Sequence, residues 1–322
     1  MSTRERTTEP SQFSLDYVYP MPHFELTLEE KRQVRAVLEV LAERYALFES
    51  RAAWTHVLEV FIANCSARRR DPECLGLLCH FLYMTLYFNE ARSHGVSPEL
   101  LRAYLRVMRG GTSAPLHPVL RAAAEFKPKL DQYLRDAQLR GKDCDPSGFY
   151  HYLGLNLSGF ALDAAASRGA PSAGETQAPD VESYAAVRLH TISALGYFHF
   201  WKLLLQVEAD AELGSGALLF RCELLSARIQ AMANDLASLA RDNHDRSNNW
   251  VNVVAREQRL SQEAAFVRVS EEHASCVSRY STAAQQARSA IDDTSTLDYL
   301  ELIGSCTVGN LKSMRALQQR YA

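Results

Sequence analysis

Three polar side chains lie one helical turn apart in the second half of the sequence. Asn234, Ser238 and Asp242 follow each other at four-residue steps in a segment with helical periodicity. At about 100° per residue they drift only about 80° around the helix axis, so all three point to one side. An amide oxygen, a hydroxyl and a carboxylate form a hard-oxygen set suited to Mg²⁺, which we call the oxygen stripe. The alternative is that these side chains only cap or solvate a helix end.

The segment that carries the oxygen stripe is one of many with helical periodicity. The first of them begins after Thr27, a predicted N-cap with Glu30 at capping-box spacing. Period-two alternation with β-branched residues, the pattern of strands, is nowhere sustained. The sequence therefore predicts an all-α fold. The predicted helices span roughly 26–48, 54–64, 74–92, 98–108, 117–139, 147–165, 182–208, 215–242, 248–256, 261–288 and 296–319.

One polar stretch, from Ser167 to Pro179, is long enough to act as a linker. In one interpretation it separates two domains. We favour a surface excursion within one bundle, because the helices on either side are too apolar to stand alone. Residues 1–12 are polar and are predicted to form a disordered tail, which leaves 13–322 as a single domain.

Composition argues against several classes of protein. The net charge of -3, from 35 basic and 38 acidic residues, lacks the positive excess on which nucleic-acid binding depends. The longest apolar run, Leu75 to Phe88, has fourteen residues including His80, which is too short for a membrane span. Seven cysteines without a CxxC pair predict reduced, mostly buried thiols and neither a disulfide framework nor a zinc site. Because the N-terminus also lacks an apolar secretion signal, we expect a cytoplasmic protein.

Further residues stand in a definite order around the oxygen stripe. Arg188 precedes Asn234 by 46 residues, and Arg320 and Tyr321 lie near the C-terminus. Together with the Asn-Asp-x-x-Ser-x-x-x-Asp pattern of the stripe, this order resembles the class I terpene synthases, in particular the single-domain bacterial sesquiterpene cyclases. The resemblance covers almost the whole chain, from Phe13 to Tyr321.

The resemblance implies both a fold and a reaction. The fold is a single-domain helical bundle of the class I terpenoid synthase type. The reaction is the Mg²⁺-dependent ionisation of a linear prenyl diphosphate, with farnesyl diphosphate as the expected substrate, followed by cyclisation of the allylic cation. Up to three Mg²⁺ are implied as cofactors. Homodimers are common in the family, although no residue of this sequence indicates one.

The resemblance also implies a role for each matching residue. Asn234, Ser238 and Asp242 hold one Mg²⁺, with Asp242 standing where the family usually has Glu. Arg188 binds the diphosphate bidentately, which a planar guanidinium does better than an ammonium; the alternative is an ordinary interhelical salt bridge. Further contacts to the substrate come from Arg241 beside the last ligand, from Thr191 and Ile192, where binding is coupled to helix movement, and from Arg320 and Tyr321, which close over the diphosphate unless they form a frayed terminus.

The family's first, aspartate-rich metal motif is degenerate in this sequence. At its position Asn89 and Glu90 follow the apolar helix, and Arg92 and Ser93 come next. Since Asn89 and Ser93 are neutral, Glu90 is the only carboxylate of this motif. One carboxylate missing about 4 Å from a divalent ion forfeits several kcal/mol of gross attraction at an effective dielectric of about 20. Either fewer than three Mg²⁺ bind, or arginines supply the charge of the missing ions.

Aromatic side chains on the motif helices are candidates for the wall of a substrate cavity, where ring faces stabilise cations. The alternative for each of them is an ordinary core residue. The candidates are Phe81, Phe88 and Trp201, together with Phe61, Tyr87, Phe198 and Trp250.

Two other functions compete with a synthase that has an atypical first motif. The loss of the aspartates favours a non-catalytic or weakly active isoprenoid-diphosphate-binding or partner protein on the same fold. A generic helical scaffold would require the ordered motifs to have arisen by chance. We favour the synthase, because four motifs occur in the right order.

Overall fold

The computed structural model describes residues 13–91, 96–114, 116–142, 144–168, 179–207, 216–244 and 247–317. These ranges contain α-helices and no strand, so the predicted all-α class is confirmed. The predicted tail, residues 1–12, lies outside the described residues. The helices are α1 (Leu28–Tyr45), α2 (Arg51–Asn64), α3 (Pro72–Ala91), α4 (Pro98–Met108), α5 (Pro118–Leu139), α6 (Ser147–Arg168), α7 (Val181–Thr191), α8 (Ala194–Leu204), α9 (Gly216–Ala237), α10 (Leu239–His244), α11 (Trp250–Gln258), α12 (Gln262–Ala290) and α13 (Thr294–Ala316).

Several helices begin at the capping residues that the sequence supplies. Thr27 and Glu30 form the predicted capping box at the start of α1. Asp180 caps α7 by accepting a hydrogen bond from the backbone N–H of Ser183 at 2.7 Å. Asn249 caps α11 in the same way, with the N–H of Val251 as donor. The helices of the candidate site therefore have defined first turns.

Two helices predicted as continuous are broken in the structure. The segment 182–208 divides into α7 and α8, because Ser193 takes a left-handed conformation with φ 65°. The segment 215–242 divides into α9 and α10 at Ser238. One turn before that break, the side chain of Asn249 donates to the carbonyl oxygen of Asp235 at 2.7 Å. This bond competes with the backbone hydrogen bond that the same oxygen would accept in a continuous helix. Both breaks correct the prediction.

The helices pack around a continuous hydrophobic core. Helix α9 packs against α12 and α13, α6 packs against α7 and α8, and α1 packs against α2 and α3. One cluster of buried apolar residues runs from Tyr19 to Met314. This continuity favours the predicted single domain, which stays a prediction. No helix among the described residues is long and apolar enough to cross a membrane.

All seven cysteines are buried and free, which confirms the sequence prediction for these residues. Burial raises the pKa of the Cys79 thiol to about 12, so the thiol stays protonated at neutral pH. These cysteines act as small apolar core residues.

The N-terminal segment of the described chain, residues 13–26, lies against α12 and α13. The Tyr19 hydroxyl is 2.9 Å from Nε2 of His273, and the Phe13 ring meets the same imidazole edge-on at 5.4 Å. Arg315 binds the carbonyl oxygen of Leu15 through two nitrogens, at 3.1 and 2.6 Å. His273 is therefore covered by an aromatic segment and removed from water.

We expect the free energy of unfolding to fall as the pH drops below about 6.5. Burial lowers the pKa of both His80 and His273 from 6.5 to about 4. Between these pH values the unfolded chain binds the protons that the folded chain excludes, so acid favours unfolding. At pH 5 the loss is about 2 kcal/mol per histidine relative to pH 7.5. Urea unfolding at the two pH values measures it. His80→Phe is expected to reduce the loss, and equal stability at both values would contradict the prediction.

Candidate active site

The centre of the candidate site is a buried ion pair between α7 and α9. Arg188 donates from Nε to Oδ1 of Asp235 at 2.9 Å, and its Nη2 lies 2.9 Å from the same oxygen. Arg188 is 7% exposed and Asp235 is 2% exposed. Sequence reasoning missed Asp235, although it stands inside the stripe motif next to Asn234. Its helical spacing from the apolar residues Met232 and Leu239, three and four positions away, was the available signal.

The remaining oxygen of Asp235 is also satisfied. Oδ2 accepts hydrogen bonds from the Tyr184 hydroxyl at 2.7 Å and from the backbone N–H of Trp250 at 3.0 Å. That N–H belongs to the first turn of α11, where the positive end of the helix dipole favours a carboxylate. The ion pair is thus held by α7, α9 and α11 together, which offsets the cost of burying two charges.

Arg188 also reaches the oxygen stripe. Its Nη2 donates to Oδ1 of Asn234 at 2.8 Å, and its Nη1 donates to Oγ1 of Thr191 at 3.2 Å. Thr191 is the last residue of α7 and is buried, while Ile192 caps that helix and is half-buried. The structure therefore brings Asn234, which lies 46 residues away in sequence, and Thr191, which lies three residues away, to the guanidinium of Arg188.

The C-terminal half of the oxygen stripe is a hydrogen-bonded cluster. Ser238 donates from Oγ to Oδ2 of Asp242 at 2.6 Å, and Asn249 donates from Nδ2 to the same oxygen at 2.8 Å. Nη2 of Arg241 lies 3.3 Å from Oδ1 of Asp242. Ser238 is fully buried and Asp242 is 9% exposed. Although the helix breaks at Ser238, the backbone N–H of Asp242 still donates to the Ser238 carbonyl oxygen at 2.8 Å. This bond keeps the Ser238 hydroxyl and the Asp242 carboxylate in contact.

The donor chemistry of the stripe fits one Mg²⁺. An amide oxygen, a hydroxyl and one carboxylate are hard ligands of the kind that Mg²⁺ takes together with water and substrate oxygens. Among the described residues, no group of three or more His, Cys, Asp or Glu side chains is placed to hold a metal ion. A metal at this site would therefore depend on neutral oxygens and on the substrate for most of its coordination.

Comparisons with known proteins bear on this arrangement. Residues 168–279, which include Arg188 and the whole stripe, match the family model described as terpene synthase family 2, C-terminal metal binding. A search of the curated proteins found no match to the sequence.

Solved structures match over most of the chain. 2-Methylisoborneol synthase from Streptomyces coelicolor A3(2), in complex with Mg²⁺ and 2-fluoroneryl diphosphate, has a TM-score of 0.77 at 17% identity, covering 97% of this chain and 98% of that one. Hedycaryol synthase in complex with nerolidol has a TM-score of 0.69 at 15% identity, covering 92% and 98%. The SVS_A2 protein from ancestral sequence reconstruction has a TM-score of 0.76 at 17% identity, covering 92% and 89%.

The fold is that of the class I terpene synthases. The resemblance inferred from the sequence motifs is thereby confirmed. In this terpene synthase fold, α7 and α9 bring the predicted arginine and the predicted metal-binding stripe to one place.

The degenerate first motif lies at the end of α3 in the terpene synthase fold. Asn89 and Glu90 are half-buried, and Nδ2 of Asn89 lies 3.3 Å from Oε1 of Glu90. Arg92 and Ser93 lie outside the described residues. The metal-binding roles of Asn89 and Glu90 stay predictions.

The C-terminal residues Arg320 and Tyr321 also lie outside the described residues. The helix that leads to them, α13, passes the oxygen stripe shortly before it ends. Sδ of Met314 lies 3.9 Å from Nδ2 of Asn234. The end of α13 therefore adjoins the site at which these two residues are predicted to act.

The predicted cavity-wall aromatics are closely packed core residues of the terpene synthase fold. The Phe81 ring is 2% exposed and lies 4.4 Å from the ring of Phe200 and 5.4 Å from that of Phe149. Phe88 packs on Tyr104 with a ring distance of 4.7 Å, and Trp201 is fully buried. These contacts match the alternative of ordinary core residues, and their role in substrate binding stays a prediction.

Replacing the missed carboxylate is expected to destabilise the protein strongly. Asp235→Asn keeps the side-chain shape but leaves the buried guanidinium of Arg188 without its counter-charge. Breaking a buried ion pair from one side costs about 3–5 kcal/mol. Urea unfolding at pH 7 measures the difference. The control is Glu29→Gln, which removes the acid from an exposed ion pair with Arg32 and is expected to cost under about 1 kcal/mol. Similar losses in both variants would contradict the prediction.

Proposed function

We propose that this protein is a Mg²⁺-dependent terpene synthase that ionises a linear prenyl diphosphate and cyclises the resulting allylic cation. One observation carries the proposal. Nη2 of Arg188 lies 2.8 Å from Oδ1 of Asn234, so a guanidinium suited to diphosphate meets a set of hard-oxygen donors suited to Mg²⁺. The family match over residues 168–279 and the fold support the same class of enzyme.

In the proposed mechanism Asn234, Ser238 and Asp242 would hold the metal. When bound, Mg²⁺ supplies Lewis-acid stabilisation of the negative charge that develops on the departing diphosphate. Arg188 and Arg241 donate hydrogen bonds to the diphosphate oxygens. These donors would stabilise the negative charge that develops on the diphosphate in the transition state. Such stabilisation is usually the largest single contribution to catalysis.

Arg188 has to change partners for this role. Its Nη2 now donates to Oδ1 of Asn234, and a cation held by that oxygen would repel the positively charged guanidinium. The bonds to Asp235 and Thr191 would keep the Arg188 side chain in the site while Nη2 turns toward the diphosphate. We therefore propose that Nη2 of Arg188 would leave Asn234 when the stripe holds the metal.

The proposal extends to the substrate, the residues that close over it and the second metal set. Farnesyl diphosphate is the substrate, Arg320 and Tyr321 close over its diphosphate, and Thr191 with Ile192 couples binding to movement of α7. Asn89 and Glu90 form a weaker second metal set, so fewer than three Mg²⁺ bind. Phe81, Phe88 and Trp201 contribute to the apolar surroundings of the cation. The enzyme acts in the cytoplasm, and a homodimer is compatible with it.

A second candidate function is a non-catalytic or weakly active isoprenoid-diphosphate-binding protein on the same fold. The observation that favours it is the single carboxylate of the first motif, Glu90, beside neutral Asn89. Binding of the diphosphate through Arg188 and the stripe would remain, while ionisation would lack metal charge.

Incubation of the purified protein with geranyl, farnesyl and geranylgeranyl diphosphates, with and without Mg²⁺, separates the two functions. Cyclic hydrocarbons or alcohols that form only with the metal support the synthase. Tight binding of a prenyl diphosphate without turnover would support the binding protein instead. Absence of both binding and turnover would overturn the proposal.

A further inference from the structure

We propose that Asn156 is a positioning residue, whose amide holds the break between α7 and α8 and thereby aims Arg188 at the candidate site. This inference rests on the proposed function. Asn156 lies on α6, is 3% exposed and belongs to neither the metal-binding nor the diphosphate-binding set. Its side chain points to the C-terminal end of α7, the helix that carries Arg188.

The amide of Asn156 bridges the two sides of the break. Nδ2 donates to the carbonyl oxygen of His190 at 2.7 Å and to Oγ of Ser193 at 2.7 Å. His190 belongs to the last turn of α7, and Ser193 is the N-cap of α8. Both hydrogens of one buried amide are thus used on the single four-residue turn 190–193.

The turn that Asn156 holds is not a relaxed one. Ser193 has φ 65° and ψ 2°, a left-handed conformation that is unfavourable for any residue with a Cβ atom. The Ser193 side chain makes no capping hydrogen bond to the first turn of α8, so its hydroxyl is used to accept from Asn156. The contact from α6 therefore supports a conformation that the local sequence does not favour by itself.

Helix α6 is shaped to approach this turn closely. One turn after Asn156 stands Gly159, and a Cβ atom there would lie 3.2 Å from Cβ of His190 and 3.2 Å from Cγ2 of Thr191. The absence of a side chain at Gly159 lets the end of α7 lie directly on α6. Asn156 and Gly159 together define where Thr191 stands.

The position of Thr191 in turn determines the direction of the Arg188 guanidinium. Oγ1 of Thr191 accepts from Nη1 of Arg188 at 3.2 Å and lies 3.3 Å from the Arg188 carbonyl oxygen. Asp235 fixes the Nε side of the same guanidinium and Asn234 holds Nη2, while Thr191 holds Nη1. Loss of the Asn156 bridge would let the turn relax, and Nη1 would lose its defined direction.

The test compares the intact chain with Asn156→Ala and with Ser158→Ala as a matched control. Ser158 is exposed on the same helix, and its hydroxyl bonds only within α6, to the carbonyl oxygen of Gly154. Calorimetric titration with inorganic pyrophosphate in the presence of Mg²⁺ measures binding without turnover. Hydrogen–deuterium exchange measures the protection of the amides in 188–197.

We expect Asn156→Ala to weaken pyrophosphate binding by about 10- to 100-fold, the usual effect of losing a residue that orients a ligand-binding group. Exchange in 188–197 should become faster, while the rest of the chain and the Ser158→Ala variant stay unchanged. Adding Ser193→Gly to Asn156→Ala should restore part of the affinity, because glycine adopts positive φ without cost.

Unchanged pyrophosphate affinity in folded Asn156→Ala would overturn the inference, as would a loss that Ser158→Ala shares. Should Asn156→Ala fail to fold, Asn156→Asp replaces it, since aspartate keeps the shape and removes both donors; unchanged affinity in that variant overturns the inference equally. Failure of the wild-type chain to bind pyrophosphate would instead overturn the proposed function, and the exchange measurement alone would then decide whether Asn156 holds the turn.

Discussion

Alanine in place of Asn234 or Asp242 is expected to reduce turnover of prenyl diphosphate by a factor on the order of 10² to 10³ or more, with the helical content unchanged. Each substitution removes one of the three hard-oxygen donors of the stripe, and Asp242 is its only carboxylate. Asn234 contacts Arg188, and Asp242 contacts Arg241. Gas chromatography of the products, with circular dichroism of each variant, measures the effect.

The control for these variants is Asn252→Ala, which removes a half-buried asparagine on α11 that bonds Asn243 and Gln262. Its turnover should stay close to that of the wild type. Unchanged product formation by Asn234→Ala or Asp242→Ala would refute the assignment of the stripe to a metal. Titration with Mg²⁺ distinguishes weakened metal binding from a slower chemical step, since only the former is rescued at high metal concentration.

The degenerate first motif allows a change in the opposite direction. Asn89→Asp adds a carboxylate where the neutral amide of Asn89 now lies beside Glu90. If these residues form the second metal set, the variant should be tolerated or should need less Mg²⁺ for half-maximal turnover. A folded but inactive Asn89→Asp would show that the amide has another role.

A large loss of stability is also expected from Gly309→Ala in α13. A Cβ atom at this position would lie 2.0 Å from the backbone oxygen of Asn64 and 2.5 Å from its carbonyl carbon, at the end of α2. Because both partners are backbone atoms, no side-chain rotation relieves the overlap. We expect a loss of about 3 kcal/mol or more, at the upper end for an overpacked core.

Gly76→Ala is the matched control for Gly309→Ala. Gly76 also lies inside a helix, α3, but nothing stands within 4 Å of the position that its Cβ would take. Alanine should therefore increase stability there by up to about 1 kcal/mol, through its higher helix propensity. Urea unfolding of both variants measures the contrast. Equal stability of the two variants would contradict the close approach of α13 to α2.

Much of the candidate site could be predicted because its parts are local. The four-residue spacing of Asn234, Ser238 and Asp242 determines their common direction once a helix forms. The capping box at Thr27 and the apolar periodicity of α3 and α9 depend only on neighbours within a few residues. The choice of Arg188 came from its order relative to the stripe, and the structure places its guanidinium against Asn234.

The parts that were missed involve contacts between helices far apart in sequence. Asp235 acts on Arg188, 47 residues earlier, and Asn156 acts on Ser193, 37 residues later. Periodicity cannot reveal such pairs, because burial of a polar residue is recognisable only when its partner is known. The same reason explains the two unpredicted breaks. Asn156 of α6 bonds the turn between α7 and α8, and Asn249, the N-cap of α11, bonds the backbone carbonyl oxygen of Asp235 near the end of α9.

The sequence by itself determined the helical class, the helix starts and the face on which the oxygen stripe lies, since each follows from short-range geometry and burial of apolar residues. Only the tertiary structure decided which charges are buried together, where α7 and α9 end, and how the guanidinium of Arg188 is oriented. Those features depend on the packing of α6, α7, α9 and α11 against one another. There, donors from one helix bond to oxygens of another: the Asn156 amide to the carbonyl oxygen of His190, and the Trp250 backbone N–H to the Asp235 carboxylate.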